Sequence, residues 1–358
     1  MADIEYRRFS ELDGLRGIAA LMVFFSHFIG FYYETEKVSY IQNSWIRIFW
    51  DGSAAVTLFF VLSGFVLTLS VLKSKRTYFE YLIKRIFRIY PAYYFSIVFC
   101  ALLLLFYNHN NLKGLSVWAQ SFWIDHIGFL DVLKHFALVL PFNTRLINPV
   151  IWSLAIEIKM SLFIPLILYF FKGKRSVLFI FFITLFIYSL SICSDKFYYL
   201  PEFFLGLVTY TKIKEISTYL SAVNNMCIYI LLVISILFFG NRYICPIIPL
   251  YSEALSVHFS GLGSALLIVL TINSDLLKKI FNLKAVQFLG KISYSFYLLH
   301  LPVLLICCSL LYPYLNSLLL CGICALVISF FLSYLSYNYI ELKMISEGNK
   351  FANILSKK

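Results

Sequence analysis

An all-α bundle of about ten membrane-crossing helices, with both chain ends in the cytoplasm, is the fold this sequence predicts. Three observations predict it. Of the 358 residues 61% are hydrophobic and only 13% charged, with a mean hydropathy of +0.83. Soluble globular chains carry roughly 45–50% apolar and about 25% charged residues, so polar surface is too scarce here to cover a water-soluble body. Apolar windows near the roughly 20 residues that cross a bilayer recur along the whole chain. Lysine and arginine, finally, gather in alternate connectors.

The windows run 15–33, 49–71, 88–107, 150–171, 177–193, 198–211, 224–240, 252–272, 290–311 and 317–340. The sixth is short and holds Pro201 and Gly206, which reads as a broken or tilted span. Residues 108–149 form the longest polar connector, with three of the six histidines and a weakly apolar piece around Phe136–Pro141 that could re-enter the bilayer. With the N-terminus inside, the cytoplasmic segments hold 22 Lys+Arg and the outer loops 7, Lys159 lying within the fourth span. That bias fixes the orientation and an even number of spans. No internal repeat is visible, against the pattern of inverted-repeat transporters.

The same reading excludes several classes. No soluble catalytic domain fits beside ten spans, so any chemistry sits in or beside the bilayer. The net charge of +12 follows from orientation, not from nucleic-acid binding. The first apolar run follows a polar, basic 16 residues and lacks a small-residue cleavage site, so it reads as a permanent span rather than a leader. Cys321-x-x-Cys324 lies in an apolar run without a partner pair, as small core residues do, and no metal site is expected.

Ionisable residues inside spans are costly and mark function by default. Arg16 and His27 of the first span are eleven positions apart: three turns plus about 20°, one face, about 16 Å. A phosphate-bearing molecule with a long thin arm fits them, phosphates on arginine and reactive end at histidine; an anchoring arginine and a core histidine are the plainer alternative. Asp13-Gly14-Leu15-Arg16-Gly17 opens this span with a carboxylate and two glycines that allow close backbone approach. The second carries FFVLSGF (59–65), where Ser63-Gly64 offers a hydroxyl and a packing notch. Arg85-x-x-Arg88, just before Pro91, puts two guanidiniums on one helix face, either clamping phosphate or serving orientation alone. The fourth span opens with Trp152-Ser153-Leu154-Ala155-Ile156-Glu157; Trp152 suits the interface, and Glu157 needs a partner, Lys159 or a histidine. Ser293, Tyr297 and His300 form a polar stripe on the ninth span, ahead of Pro302.

Together the segments LDGLRGIAALMVFFSHF (12–28), FFVLSGF (59–65), Arg85-x-x-Arg88 to Pro91, WSLAIE (152–157) and ISYSFYLLHLP (292–302) resemble the acyltransferase-3 family of membrane O-acyltransferases, in the family's order. The resemblance implies a ten-span core that moves acetyl or another small acyl group from cytoplasmic acyl-CoA to a hydroxyl, usually on an extracytoplasmic glycan. It implies functional roles for Arg16, His27, Arg85 and Arg88. Many members carry two adjacent carboxylates after the WSL segment, whereas here Glu157 precedes Ile158 and Lys159; this looks more like the subgroup modifying bacterial O-antigen or capsule sugars. Many also place a proline soon after the carboxylate ending the last span, whereas Glu341 precedes Leu342, Lys343 and Met344, which leaves a role for Glu341 in doubt. A hydrolase-like C-terminal extension is not expected: the acyltransferase-like membrane domain covers 1–345 and a short cytoplasmic tail 346–358.

The expected function is thus transfer of acetyl from acetyl-CoA to a surface polysaccharide, such as lipopolysaccharide O-antigen, or to its lipid-linked precursor at the bacterial inner membrane. His27 and Glu157 are the catalytic candidates, Glu157 orienting His27 as general base. Arg16, Arg85, Arg88 and Ser63 are expected to hold the donor, and Asp13, Trp152, Ser153, Tyr297 and His300 to bind the acceptor or support the site. Expected partners are acyl-CoA, the glycan acceptor and membrane lipids. A transporter or flippase of a lipid-linked saccharide is the alternative; it fits ten spans and a basic inner face but leaves the Arg16–His27 spacing unexplained.

Overall fold

The computed structural model describes residues 9–33, 35–73, 77–124, 128–136, 138, 143–170, 175–191, 197–244 and 252–355. Most of the predicted piece at Phe136–Pro141, and Lys75 and Arg76 between the second and third windows, lie outside these residues. Among the described residues there is no strand, and ten longer helices follow one another: Ser10–Gly30 (α1), Gly52–Lys73 (α2), Tyr78–Leu104 (α3), Trp152–Phe170 (α4), Arg175–Ser191 (α5), Leu200–Ser221 (α6), Asn225–Phe239 (α7), Glu253–Asn273 (α8), Lys284–Leu315 (α9) and Leu318–Leu355 (α10). Each predicted window falls on one of them. Seven are long and apolar enough to cross a membrane; α5, α6 and α7 are not among these seven. The chain is an integral membrane protein built as a helical bundle.

Helices α3 and α9 start well ahead of their windows for one reason: charge placed inside a helix reads as a connector. α3 starts at Tyr78, not 88, because Thr77 caps it, its hydroxyl accepting from Glu80 N (3.3 Å) and donating to Glu80 Oε1 (3.2 Å). Arg85 and Arg88 therefore lie well inside the helix. α9 likewise begins at Lys284, ahead of the predicted 290. The sixth span is not broken: α6 is continuous, and Pro201 sits in its first turn, where no helical N–H is required.

The chain divides into two compact units. The first holds Met1–Ala19, Asn43–Lys75 and Met160–Gly290. Its tightest packing comes from glycine: a Cβ on Gly64 of α2 would enter the Phe203 backbone, and one on Gly206 of α6 the Val61 carbonyl, so the two backbones touch. Phe60 and Phe203 (4.9 Å) and Phe65 and Tyr210 (5.1 Å) fill the flanks. Gly14 and Gly17 of α1 serve the same end, meeting the backbone at Phe281 and at Leu289–Gly290. Gln287 Nε2 ties the pieces by donating to Ser10 O (2.8 Å) and Phe281 O (2.7 Å). A buried cluster completes the unit: His258 Nδ1 lies 2.8 Å from Glu202 Oε1 and His258 Nε2 2.8 Å from Ser189 Oγ, with Gly261 making room for the carboxyl.

The second unit holds Ala20–Gln42, Arg76–Lys159 and Lys291–Lys358. Two prolines inside α9 organise it. Pro302 has no N–H to give Leu298 O, and Asn148 Nδ2 donates to that carbonyl instead (2.9 Å). Pro313 frees Ser309 O in the same way, and Asn111 Nδ2 takes its place (2.7 Å). Both asparagines belong to the 108–149 connector, so the proline positions of α9 are where that connector is fastened. α10 contains a π turn at Tyr337–Glu341, which gives Glu341 a buried position bonded to Ser295, itself 2.7 Å from Ser336. Residues 342–355, which include most of the predicted tail, are helical; Gly348 and Phe351 pack on Phe87 of α3.

Candidate functional site

The second unit gathers most of the residues singled out above. His27 of α1 and His300 of α9 meet with ring centroids 5.1 Å apart and ring planes within 6° of each other, His27 Nδ1 lying 2.9 Å from His300 Nε2. His300 is fully buried, whereas His27 is only half-buried. Trp118 covers His27 at 5.5 Å. The connector is clasped to the end of α1 to put it there: Ser116 N donates to Phe31 O (3.1 Å) and Ser116 Oγ to Gly30 O (2.6 Å), while the same hydroxyl caps the short helix Val117–Gln120. Gly30 itself is small enough to let the indole approach.

A second cluster joins α3, α4 and α9. Arg85 and Glu157 form an ion pair, 16% and 27% exposed. Glu157 is thus paired with Arg85, whose guanidinium offers a half-buried carboxylate more charge and more N–H donors than a neutral imidazole can, while His27 meets His300. One turn earlier on α4, Ser153 Oγ lies 2.7 Å from Tyr297 OH, which also donates to Val150 O (3.3 Å). Trp152 is half-buried at the first residue of α4. Arg88 is exposed and acts electrostatically on Glu341. The Glu341–Ser295–Ser336 group is thus part of this neighbourhood, although the missing proline had left Glu341 without a role.

Other predicted residues belong to the first unit. Arg16 is paired with Asp13 at 3.4 Å, one turn away on α1, at 19% exposure. Ser63 is half-buried on α2. Glu202, His258 and Ser189 went unnoticed in the sequence; the available signal was a carboxylate and a histidine within or beside apolar runs. Among the described residues no group of three or more His, Cys, Asp or Glu side chains is arranged to hold a metal ion.

Chemically, the second unit offers a half-buried imidazole bonded to a second, fully buried one, and an Arg85–Glu157 ion pair. Comparison with known proteins adds to this. Residues 9–338 match the family model Acyl_transf_3, described as an acyltransferase domain. ORF330 of Acidianus two-tailed virus, provisionally named an acetyltransferase, is 27% identical over 80% of this chain and 81% of its own. Acyltransferase MdmB of Streptomyces mycarofaciens is 30% identical over 44% of this chain and 39% of its own. O-acetyltransferase OatA of Staphylococcus aureus is 24% identical over 97% of this chain, which spans 59% of the length of OatA. No solved structure matches the chain.

Proposed function

Because the chain belongs to the acyltransferase-3 family, we propose that it is an O-acetyltransferase of the bacterial inner membrane. It takes acetyl from acetyl-CoA on the cytoplasmic side and delivers it to a hydroxyl of a surface polysaccharide, such as an O-antigen, or of its lipid-linked precursor. The carrying observation is the half-buried His27 held at 2.9 Å by the buried His300. A sugar hydroxyl is a weak nucleophile at neutral pH and needs its proton removed as it attacks. His27 takes that proton while the oxygen bonds to the thioester carbonyl carbon; the C–S bond breaks, and the proton passes to the departing thiolate. A relative named as an O-acetyltransferase over almost all of this chain supports the acetyl group and the hydroxyl acceptor.

Arg85 and Arg88 are the proposed phosphate contacts of the donor, Arg85 exchanging Glu157 for phosphate when the donor arrives. Arg16 is proposed for the same task on its spacing along α1 alone. Transfer from labelled acetyl-CoA, measured in membranes carrying the native protein or His27→Ala, tests the reading. His27→Ala is expected to abolish acetylation while donor binding survives; equal glycan acetylation in both rejects His27 as the base.

A further inference from the structure

His300 Nδ1 lies 2.8 Å from Tyr297 O and 3.1 Å from Phe296 O. Both are carbonyls of its own helix and can only accept, so His300 Nδ1 carries a hydrogen. The ring is fully buried between Phe24, Phe296 and Tyr297, with no carboxylate of the described residues among its contacts. A second proton would place an uncompensated charge there. His300 Nε2 is therefore a bare lone pair, and it faces His27 Nδ1 at 2.9 Å. Two lone pairs cannot face each other at that distance, so the hydrogen between the rings sits on His27 Nδ1. The other nitrogen of His27, a half-buried residue, is then the basic one.

From this chain of hydrogen bonds we infer that His300 is a positioning residue that sets the tautomer of His27, holding the proton on Nδ1 and leaving Nε2 as the base. The inference rests on reading His27 as the base in acetyl transfer. Free histidine in water prefers the opposite tautomer, with the proton on Nε2, so without its partner His27 would present a donor where the reaction needs an acceptor. The helix carbonyls at one end thus decide the chemistry at the other: Tyr297 O and Phe296 O fix His300, and His300 fixes His27. When His27 Nε2 takes the hydroxyl proton, the bond from Nδ1–H to His300 becomes charge-assisted and strengthens as the imidazolium forms. This is the support that the sequence reading sought in Glu157.

The test is nitrogen-15 NMR of the full chain, histidine-labelled and held in lipid nanodiscs at neutral pH, with His27→Asn used to assign the His27 signals. The native protein is expected to show a protonated-type Nδ1 and an unprotonated-type Nε2 for His27. In His300→Leu the His27 signals should exchange, and kcat for thiol release from acetyl-CoA in native membranes should fall by about 10²–10⁴-fold, with KM for acetyl-CoA changed by less than twofold. His300→Gln offers a side-chain oxygen to His27 Nδ1–H, so it should keep the tautomer and restore most of kcat. An Nε2–H tautomer in the native protein overturns the inference, and so does a tautomer indifferent to His300→Leu. The expected tautomers together with no acetyl transfer by the native protein would reject the enzymatic reading while leaving the hydrogen-bond assignment intact.

Discussion

Replacing Asn148 by alanine should destabilise the protein more when Pro302 is present than when it is absent. Asn148 is fully buried, and its amide donates to Leu298 O at 2.9 Å, a carbonyl whose helical partner is missing because residue 302 is proline. Its two other bonds are long, 3.4 Å to Ser96 Oγ and 3.3 Å from Val150 N, and contribute little. Stripping the one good donor from a buried carbonyl costs about 1–3 kcal/mol. Polar contacts between membrane helices average only about 0.6 kcal/mol, because the separated helices keep their own backbone bonds; Leu298 O has no such fallback. Pro302→Ala supplies one by restoring the N–H. The cost of Asn148→Ala should therefore shrink by about 1–2 kcal/mol in the Pro302→Ala background. Unfolding in mixed detergent micelles with increasing dodecyl sulfate, followed by circular dichroism, measures all four corners of the cycle. Equal costs in the two backgrounds, within about 0.5 kcal/mol, would refute the idea that the asparagine substitutes for the missing N–H.

Gly64→Leu should cost about 3 kcal/mol or more in the same assay, since its side chain can enter only where the Phe203 backbone already lies; a stability change below about 1 kcal/mol would deny the close approach of α2 and α6. Arg85→Lys keeps a cation for Glu157 but loses the planar fork, so KM for acetyl-CoA should rise about tenfold with the fold intact; an unchanged KM would leave Arg85 as a partner of Glu157 only. Asp51 caps α2 through Ala54 N at 3.0 Å, and burial raises its carboxyl pKa in spite of the Arg242 and Arg47 charges. A raised carboxyl pKa means the folded state holds the proton more tightly, so its ionisation destabilises as pH climbs above the ordinary value of about 4. Asp51→Asn, which still caps, should gain thermal stability over the native protein from there toward neutrality; a gain equally large below pH 4 would contradict this.

The helices were legible because lipid-facing and packed surfaces are both apolar, so each spanning segment is a visible run. Their starts were not legible where a helix extends into charge, as at Tyr78 and Lys284. The candidate residues His27, His300, Arg85 and Glu157 each stand out singly as polar groups in the sequence. Their pairing does not, because it depends on which faces α1, α3, α4 and α9 turn to one another. The sequence offers Lys159 or a histidine as partner for Glu157, but Arg85 reaches it from another helix. Glu341 was set aside for lack of a following proline, yet its burial comes from a π turn, a one-residue insertion with no composition of its own. The glycines of Asp13-Gly14-Leu15-Arg16-Gly17 allow close approach, and what approaches is the backbone at Phe281 and, in the first turns of α9, at Leu289–Gly290.

The asparagine-filled positions of α9 also bear on the order in which the chain is made. A helix entering lipid with two bare carbonyls meets no water to satisfy them, and each would weigh against insertion. Here the donors come first: Asn148 precedes Leu298 by 150 residues and Asn111 precedes Ser309 by 198. By the time the ribosome delivers α9, the connector has long since emerged, and the late helix enters a socket whose amides are already waiting. Were the chain permuted so that α9 was translated before the connector, those two carbonyls would stand unmet in the membrane until synthesis ended.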